Sequence, residues 1–268
     1  MLKIVFSLVF WVLFFCGAGA QPKRITRDFS RYFAEDSVKG CFVLYDLKKD
    51  QYVQYNPQRC QTRFIPASTF KIPNTLIGLE TGVVTGKDFA LKWDGVHRRV
   101  PDWNQDLDLQ TAFRVSAFWF YQEIARRVGP TRMRQYVTKL GYGNGDIGGG
   151  IDQFWLTGKL AISPEEQVAF LSRLYHNQLP FSPRSVDLVK EMMILEDTLG
   201  HTLRGKTGWA DWPDKNIGWM VGYLEQNGNV YFFATNVESG PVAPTTFVTA
   251  RRRITEKILR ALGLVSGR

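Results

Sequence analysis

The chain has 268 residues, 44% of them apolar and 22% charged, with a formal net charge of +9. Such proportions belong to a globular protein and exclude a disordered or collagen-like one. A basic excess can address nucleic acid or an anionic membrane, but here the cations are scattered and the densest group, Arg251-Arg252-Arg253, lies in a helical pattern. No nucleic-acid partner is expected; a basic cleft that attracts an anionic small molecule is.

Residues 1–20 carry one early cation, Lys3, then an apolar run over 4–15 and a closing Ala18-Gly19-Ala20. This reads as a secretory signal peptide cut before Gln21, too short for an ordinary membrane span. A lipid anchor on Cys16 is the rival reading, opposed by bulky Phe14 and Phe15 where lipoprotein processing favours small residues. Residues 21–268 are expected to form one exported catalytic domain, periplasmic or otherwise extracytoplasmic, with no stable membrane insertion after processing. Its oligomeric state is not set by the sequence.

Two strands are expected near 41–45 and 51–55, separated by a turn near Lys49-Asp50. Cys41 and Cys60 remain after processing, an even pair in an oxidising compartment, and a bridge between them is the expectation; two unlinked thiols are the alternative. A long helical and loop-rich middle follows. Within it Ser163-Pro164-Glu165-Glu166 has the form of a capping box with proline at the first helical position. Strand patterns return at 202–210, 217–225 and 230–237, and Asn227-Gly228 between the last two is a strong hairpin signal. An amphipathic helix closes the chain over 247–262, with Ile254, Ile258 and Leu262 on one face. Strands at both ends around a helical insert predict an α+β fold: an antiparallel sheet flanked by helices, with a mostly helical lobe.

Ser68-Thr69-Phe70-Lys71 is the most chemically suggestive tetrad. In a helix starting near Ser68, residues three apart share a face, so the Lys71 amine can reach the Ser68 hydroxyl. Pro73 is awkward so early in a helix and predicts an irregular first turn. A lysine base must be neutral, and the apolar residues around Lys71 supply desolvation in that direction. Glu165 and Glu166 are the tempting carboxylates, but the capping box accounts for them; His97, His176 and His201 sit in no motif. Lys71 is left as the base by elimination.

Lys206-Thr207-Gly208 falls in a strand pattern, where Lys206 and Thr207 can hold a substrate carboxylate and Gly208 lets a substrate lie along the strand edge. Gly200 to Thr207 also satisfies the spacing of a phosphate-cradling loop. That loop needs a helix directly after it, and Gly208 with Pro213 beyond argues against one.

Ser-x-x-Lys together with Lys-Thr-Gly resembles the penicillin-recognising serine enzymes. Ser116-Ala117-Phe118, Tyr142-Gly143-Asn144 and Phe154-Trp155-Leu156 narrow the resemblance to the class D β-lactamases, the oxacillinases, over nearly all of residues 21–268. Trp93-Asp94-Gly95, the stretch 121–126 and Gly150-Ile151-Asp152-Gln153 belong to the same likeness.

The resemblance implies hydrolysis of β-lactam antibiotics, conferring resistance, on a serine β-lactamase/penicillin-binding-protein fold. Ser68 would be acylated. Lys71 would act as a carbamate formed with carbon dioxide, held by Trp155, and Ser116 would relay a proton with Lys206 nearby. Backbone N–H groups of Ser68 and Trp209 would form the oxyanion hole. Lys206, Thr207, Gly208 and Arg251 would bind the substrate, with Phe118 and Leu156 lining the site. No metal and no further cofactor is implied. Phe118 departs from the usual Val or Ile, and its bulk is expected to hinder the deacylating water or alter the carbamate. The competing readings are a DD-peptidase and a slowly deacylating β-lactam sensor domain.

Overall fold

A computed structural model describes residues 21–265; the leader expected over 1–20 lies outside the described residues. The first strand, β1 (Lys23–Thr26), is followed by a short helix, α1 (Ser30–Ala34), and by the pair β2 (Lys39–Asp46) and β3 (Gln51–Tyr55). Asp50 closes the intervening turn at φ 46°, a left-handed conformation that aspartate tolerates better than most residues. α2 (Pro57–Gln61) leads to a 3₁₀ turn, Ala67–Phe70, which runs into α3 (Lys71–Glu80). The helix thus begins at Lys71, not at Ser68 as expected, and Pro73 is its third residue. A first-turn N–H has no partner within the helix, so proline is accommodated there.

The helical lobe continues through a two-stranded ribbon, β4 (Ala90–Leu91) with β5 (Leu107–Asp108), into α4 (Leu109–Arg114), α5 (Phe118–Val128) and α6 (Pro130–Leu140). α7 (Pro164–Tyr175) opens on the expected capping box: Ser163 Oγ accepts from the Glu166 N–H and Glu166 accepts from the Ser163 N–H. α8 (Pro183–Met192) then returns the chain to the sheet through β6 (Ile194–Asp197), β7 (His201–Asp211), β8 (Asn216–Gln226) and β9 (Asn229–Ser239). Asn227 and Gly228 form the two-residue loop between β8 and β9, both at positive φ, as a primed hairpin turn requires. α9 (Phe247–Ala261) ends the fold.

The sheet has seven strands in the order β1-β3-β2-β9-β8-β7-β6. The sheet is antiparallel as expected over β3-β2-β9-β8-β7-β6, and the edge strand β1 adds one parallel pair with β3, which makes it mixed. The central strands are apolar on both faces because both are covered. On β8 and β9, Trp219, Val221, Tyr223, Phe232 and Ala234 enter the core shared with the helical lobe, and the alternating Met220, Leu224, Phe233 and Val237 pack towards α1 and α9. Period-two alternation between two buried faces reads as a continuous apolar run. Gly222 permits the closest strand approach, since a Cβ there would lie 2.0 Å from the Arg204 carbonyl oxygen.

Cys41 on β2 and Cys60 on α2 are both buried and unlinked, which corrects the expected bridge. The Cys60 thiol lies 3.4 Å from the carbonyl oxygens of Phe42 and Tyr55. Two small apolar side chains with weak S–H donors fill this junction without a covalent link.

Candidate active site

Ser68 sits in the 3₁₀ turn that precedes α3, and Lys71 is the first residue of that helix. Lys71 Nζ donates to Ser68 Oγ at 2.8 Å. The lysine is wholly buried, and burial together with the nearby charge of Lys206 holds its amine well below the ordinary lysine range. Its Nζ lies 5.1 Å from the ring centre of Tyr121, an apolar wall on α5. Burial therefore favours the neutral form of this amine, the form that can accept a proton from the hydroxyl beside it.

The turn that carries Ser68 is strained and braced. Ala67 has φ 49°, a left-handed conformation costly for a residue with a Cβ. Thr69 Oγ1 donates to the Pro66 carbonyl at 2.7 Å and accepts from Gln167 Nε2 at 2.9 Å; Tyr142 Oη in turn donates to Gln167 Oε1 at 3.3 Å. These groups are buried, so the network fixes the turn against α7 and the Tyr142 loop. Asn144 serves that loop, bonding the backbone of Lys159 and Ala161.

From the sheet side, β7 presents Lys206-Thr207-Gly208. A Cβ on Gly208 would stand 3.0 Å from the Pro66 carbonyl oxygen and 3.3 Å from the Thr69 nitrogen, so glycine lets the strand lie against the Ser68 turn. Lys206 Nζ reaches across to Ser116 Oγ at 3.0 Å and also bonds the Thr207 carbonyl at 3.1 Å. Burial and the neighbouring Arg251 charge lower the Lys206 amine to about 7. Ser116, between α4 and α5, is itself held at φ 63°. Arg251 on α9 is buried, donates to the Gly208 carbonyl, and leaves its Nε without an acceptor. Burial lowers its guanidinium to about 10, which leaves it charged at neutral pH. A spare buried donor on a buried cation beside β7 suits an anionic group.

Ser68, Lys71, Ser116, Lys206, Gly208 and Arg251 are thus brought together. Trp209 follows on the same strand, its indole N–H donating to Asn216 Oδ1 at 3.0 Å, and Thr207 is half-buried between them. Trp155 is fully buried and stacks on Phe70, the residue before Lys71, with ring centres 5.6 Å apart; its Nε1 has no partner. Leu156 is half-buried beside it. Phe118 opens α5, half-buried, with its ring edge-on against Trp103 at 5.2 Å and under Arg98 at 5.5 Å.

The rejected candidates are engaged elsewhere. Glu165 pairs with Arg24 and Glu166 with Arg63 and its own cap. Of the phosphate-loop spacing, Gly200 precedes β7 and the residues from His201 to Thr207 lie within it, and the next element is strand β8, not a helix. Gln167 was missed by sequence reasoning, although a signal existed. It shares the buried face of α7 with Leu171 and Leu174, where a polar residue must have a partner.

A family model for the penicillin binding protein transpeptidase domain matches residues 40–261. β-Lactamase OXA-48 of Klebsiella pneumoniae is 40% identical over 96% of this chain and 97% of that protein. Among solved structures, a class D β-lactamase from Nostoc superposes with a TM-score of 0.84 at 47% identity, over 89% of this chain and 99% of that one. The C-terminal domain of the Bacillus licheniformis BlaR penicillin receptor gives 0.87 at 33% identity, over 92% and 99%.

Proposed function

The chain belongs to the class D serine β-lactamases and hydrolyses β-lactams, and from that premise we propose that it does so through an acyl-enzyme on Ser68 with the Lys71 side chain as base. The observation that carries this is the 2.8 Å contact between Lys71 Nζ and Ser68 Oγ, made by an amine whose protonation burial disfavours. Ser68 attacks the lactam carbonyl as its proton passes to the Lys71 side chain. Its own N–H and that of Trp209 donate to the oxyanion, a contribution on the order of 2.7–4 kcal/mol per donor. Ser116 hands a proton to the departing lactam nitrogen and is restored through Lys206 at 3.0 Å. Lys206, Thr207 and Arg251 hold the substrate carboxylate, with Gly208 giving the lactam room along β7. The proton that Lys71 took from Ser68 makes good the one that Lys206 gave to Ser116, which frees the Lys71 side chain; water then attacks the acyl carbon as its proton passes to Lys71 and on to the departing Ser68 Oγ, and the product leaves.

The residues around Lys71 also fit a carbamate. A fully buried Trp155 Nε1 without an acceptor is a donor awaiting an anion, and an unprotonated amine is the form that combines with carbon dioxide. Bound there, the carbamate would supply an anionic base that needs no loss of a lysine proton; Trp155 would hold it, with Leu156 and Phe118 bordering the approach of water. Export of a single domain over 21–268 belongs to the same reading, supported by the signal pattern of residues 1–20.

A sensor that stays acylated shares this fold, as the BlaR likeness makes concrete. Turnover of a chromogenic cephalosporin separates the two. Many equivalents cleaved per protein support hydrolysis; a burst of one equivalent that then stops supports a sensor or DD-peptidase. Mass spectrometry after brief exposure to penicillin should find the adduct on Ser68 and none on the Ser68→Ala protein.

A further inference from the structure

The face of the sheet that packs on α9 is not filled along its whole width. On β7 the residues of that face follow the strand period as Leu203, Gly205 and Thr207, and the middle one has no side chain. A groove of about 950 Å³ opens there between the β6–β7 pair and α9. It shares only Thr207 with the residues assigned to the reaction at Ser68, and nothing in the hydrolytic scheme uses it.

The groove is apolar within. Leu203 and Leu259 are buried at its floor, and Leu195 and Val248 form its walls while 38% and 47% exposed. Leu195 sits where the β6–β7 register shifts, and its Cδ1 lies over Gly205, 3.1 Å from where a Cβ would stand. Charge is confined to the lip. Val248, Arg252, Glu256 and Arg260 recur at four-residue spacing and so form one stripe of α9. Glu256 is divided between its neighbours, 2.7 Å from Arg252 and 3.8 Å from Arg260, which sets two cations against one carboxylate. Arg253 is paired with Asp36, and His201 lies 3.6 Å from Glu196 on the opposite lip.

We propose that this groove is a binding site for an anionic amphiphile of the long-chain fatty acid class. The acyl chain lies on Leu203, Leu259, Leu195 and Val248, and the carboxylate joins Arg252 and Arg260. The dimensions suit an extended chain: the two arginines are about 12 Å apart along the helix, and β7 runs about 20 Å from His201 to Thr207. The volume falls within the range of small-molecule sites, which are mostly apolar with a few polar groups that fix orientation. Two guanidinium groups sharing one carboxylate retain donors for a second anion, and the basic excess of the chain favours an anionic head over a cationic one.

The test is equilibrium dialysis of radiolabelled dodecanoate, below its micelle concentration, against the intact protein. Saturation at one molecule per chain is expected, with octanoate at least tenfold weaker, since each methylene withdrawn from water contributes about fourfold. Dodecyltrimethylammonium and dodecanol should not displace it. Arg260→Glu and Leu195→Glu should each weaken binding about tenfold while the melting curve stays cooperative; should Leu195→Glu fail to fold, Val248→Glu at an exposed helix position replaces it. No saturable binding overturns the site, as does binding indifferent to head charge or to these folded variants. Retention on phosphatidylglycerol vesicles without binding of free dodecanoate would assign the surface to a membrane, and a dimer that dodecanoate does not dissociate would assign it to a second copy; either result overturns the proposal. None of these readouts depends on β-lactam turnover.

Discussion

Lys206 Nζ stands 3.0 Å from Ser116 Oγ, spanning from the central sheet to a serine held in a left-handed backbone conformation. Neither partner is free to wander: the lysine is buried on β7, and the serine is fixed between two helices of the other lobe. The arrangement ties the titration of one amine to both substrate binding and proton delivery.

Lys206 loses its charge as pH rises through about 7 in the free protein. A substrate carboxylate favours the charged form, so binding takes up a proton above that pH and weakens as pH climbs. Affinity of the Ser68→Ala protein for penicillin, measured by calorimetry, is expected to fall by about tenfold between pH 6 and 8.5. A flat profile would remove Lys206 from carboxylate binding. The stability contribution has the same origin: a lysine lowered from 10.5 to about 7 costs the fold progressively as pH falls across that window and no further below it.

Substituting Lys71 should separate function from stability. Lys71→Ala is expected to lower kcat/KM by about 10²–10⁴-fold, the range for a lost general base. Lys71→Met should do the same while raising the melting temperature at pH 7, because it removes a desolvated amine from a fully buried site. The folded amine is lowered, so the penalty grows as pH falls below 10.5; the gain from Met should therefore shrink on approaching that pH. Activity that survives Lys71→Met would end its assignment as base.

Trp155→Phe keeps the ring that stacks on Phe70 but removes the unpartnered Nε1. With ¹³C-labelled bicarbonate, a carbamate resonance should be present in the wild type, absent in Lys71→Ala, and require more bicarbonate in Trp155→Phe. Turnover lost in mildly acidic, carbon-dioxide-depleted buffer should return on adding bicarbonate. No such resonance in the active wild type would dismiss the carbamate.

Gln167→Leu fills similar space but removes the donor to Thr69 Oγ1, which keeps its bond to Pro66, and the acceptor of Tyr142 Oη, at a cost of about 1–3 kcal/mol. Because the Ser68 turn loses its brace, acylation should slow by more than KM changes. Gln167→Glu, which restores an acceptor for Tyr142, should recover part of the stability but not the donor to Thr69. Equal acylation rates in all three proteins would show that the turn holds itself.

Local chemistry was legible wherever a short segment decides its own conformation. The Asn227-Gly228 turn and the Ser163 cap fall where the sequence places them, since each is settled within four residues. The hydroxyl–amine couple was equally readable, because one helical turn joins its members. β1 was not: Lys23–Thr26 is polar and exposed, and it is held by pairing with β3 and by the reach of Arg24 to Glu165, 141 positions away. With β1 unread, the parallel pair that makes the sheet mixed was hidden too. Gln167 likewise matters through partners that only the folded chain supplies. The cysteines were misread because compartment argues for a bridge while packing is content with two thiols.

The heart of the sheet is a marriage of opposite ends, residues 39–46 lying beside 231–238. Until the ribosome has delivered almost the last of the polypeptide, β2 has only β3 beside it and the Ser68 turn has no strand to rest on. Assembly of the reactive groove is thus a late, all-or-nothing event, slowed by the long loop that must close first. C-terminal truncations removing β9 should therefore yield insoluble chains instead of weakened catalysts.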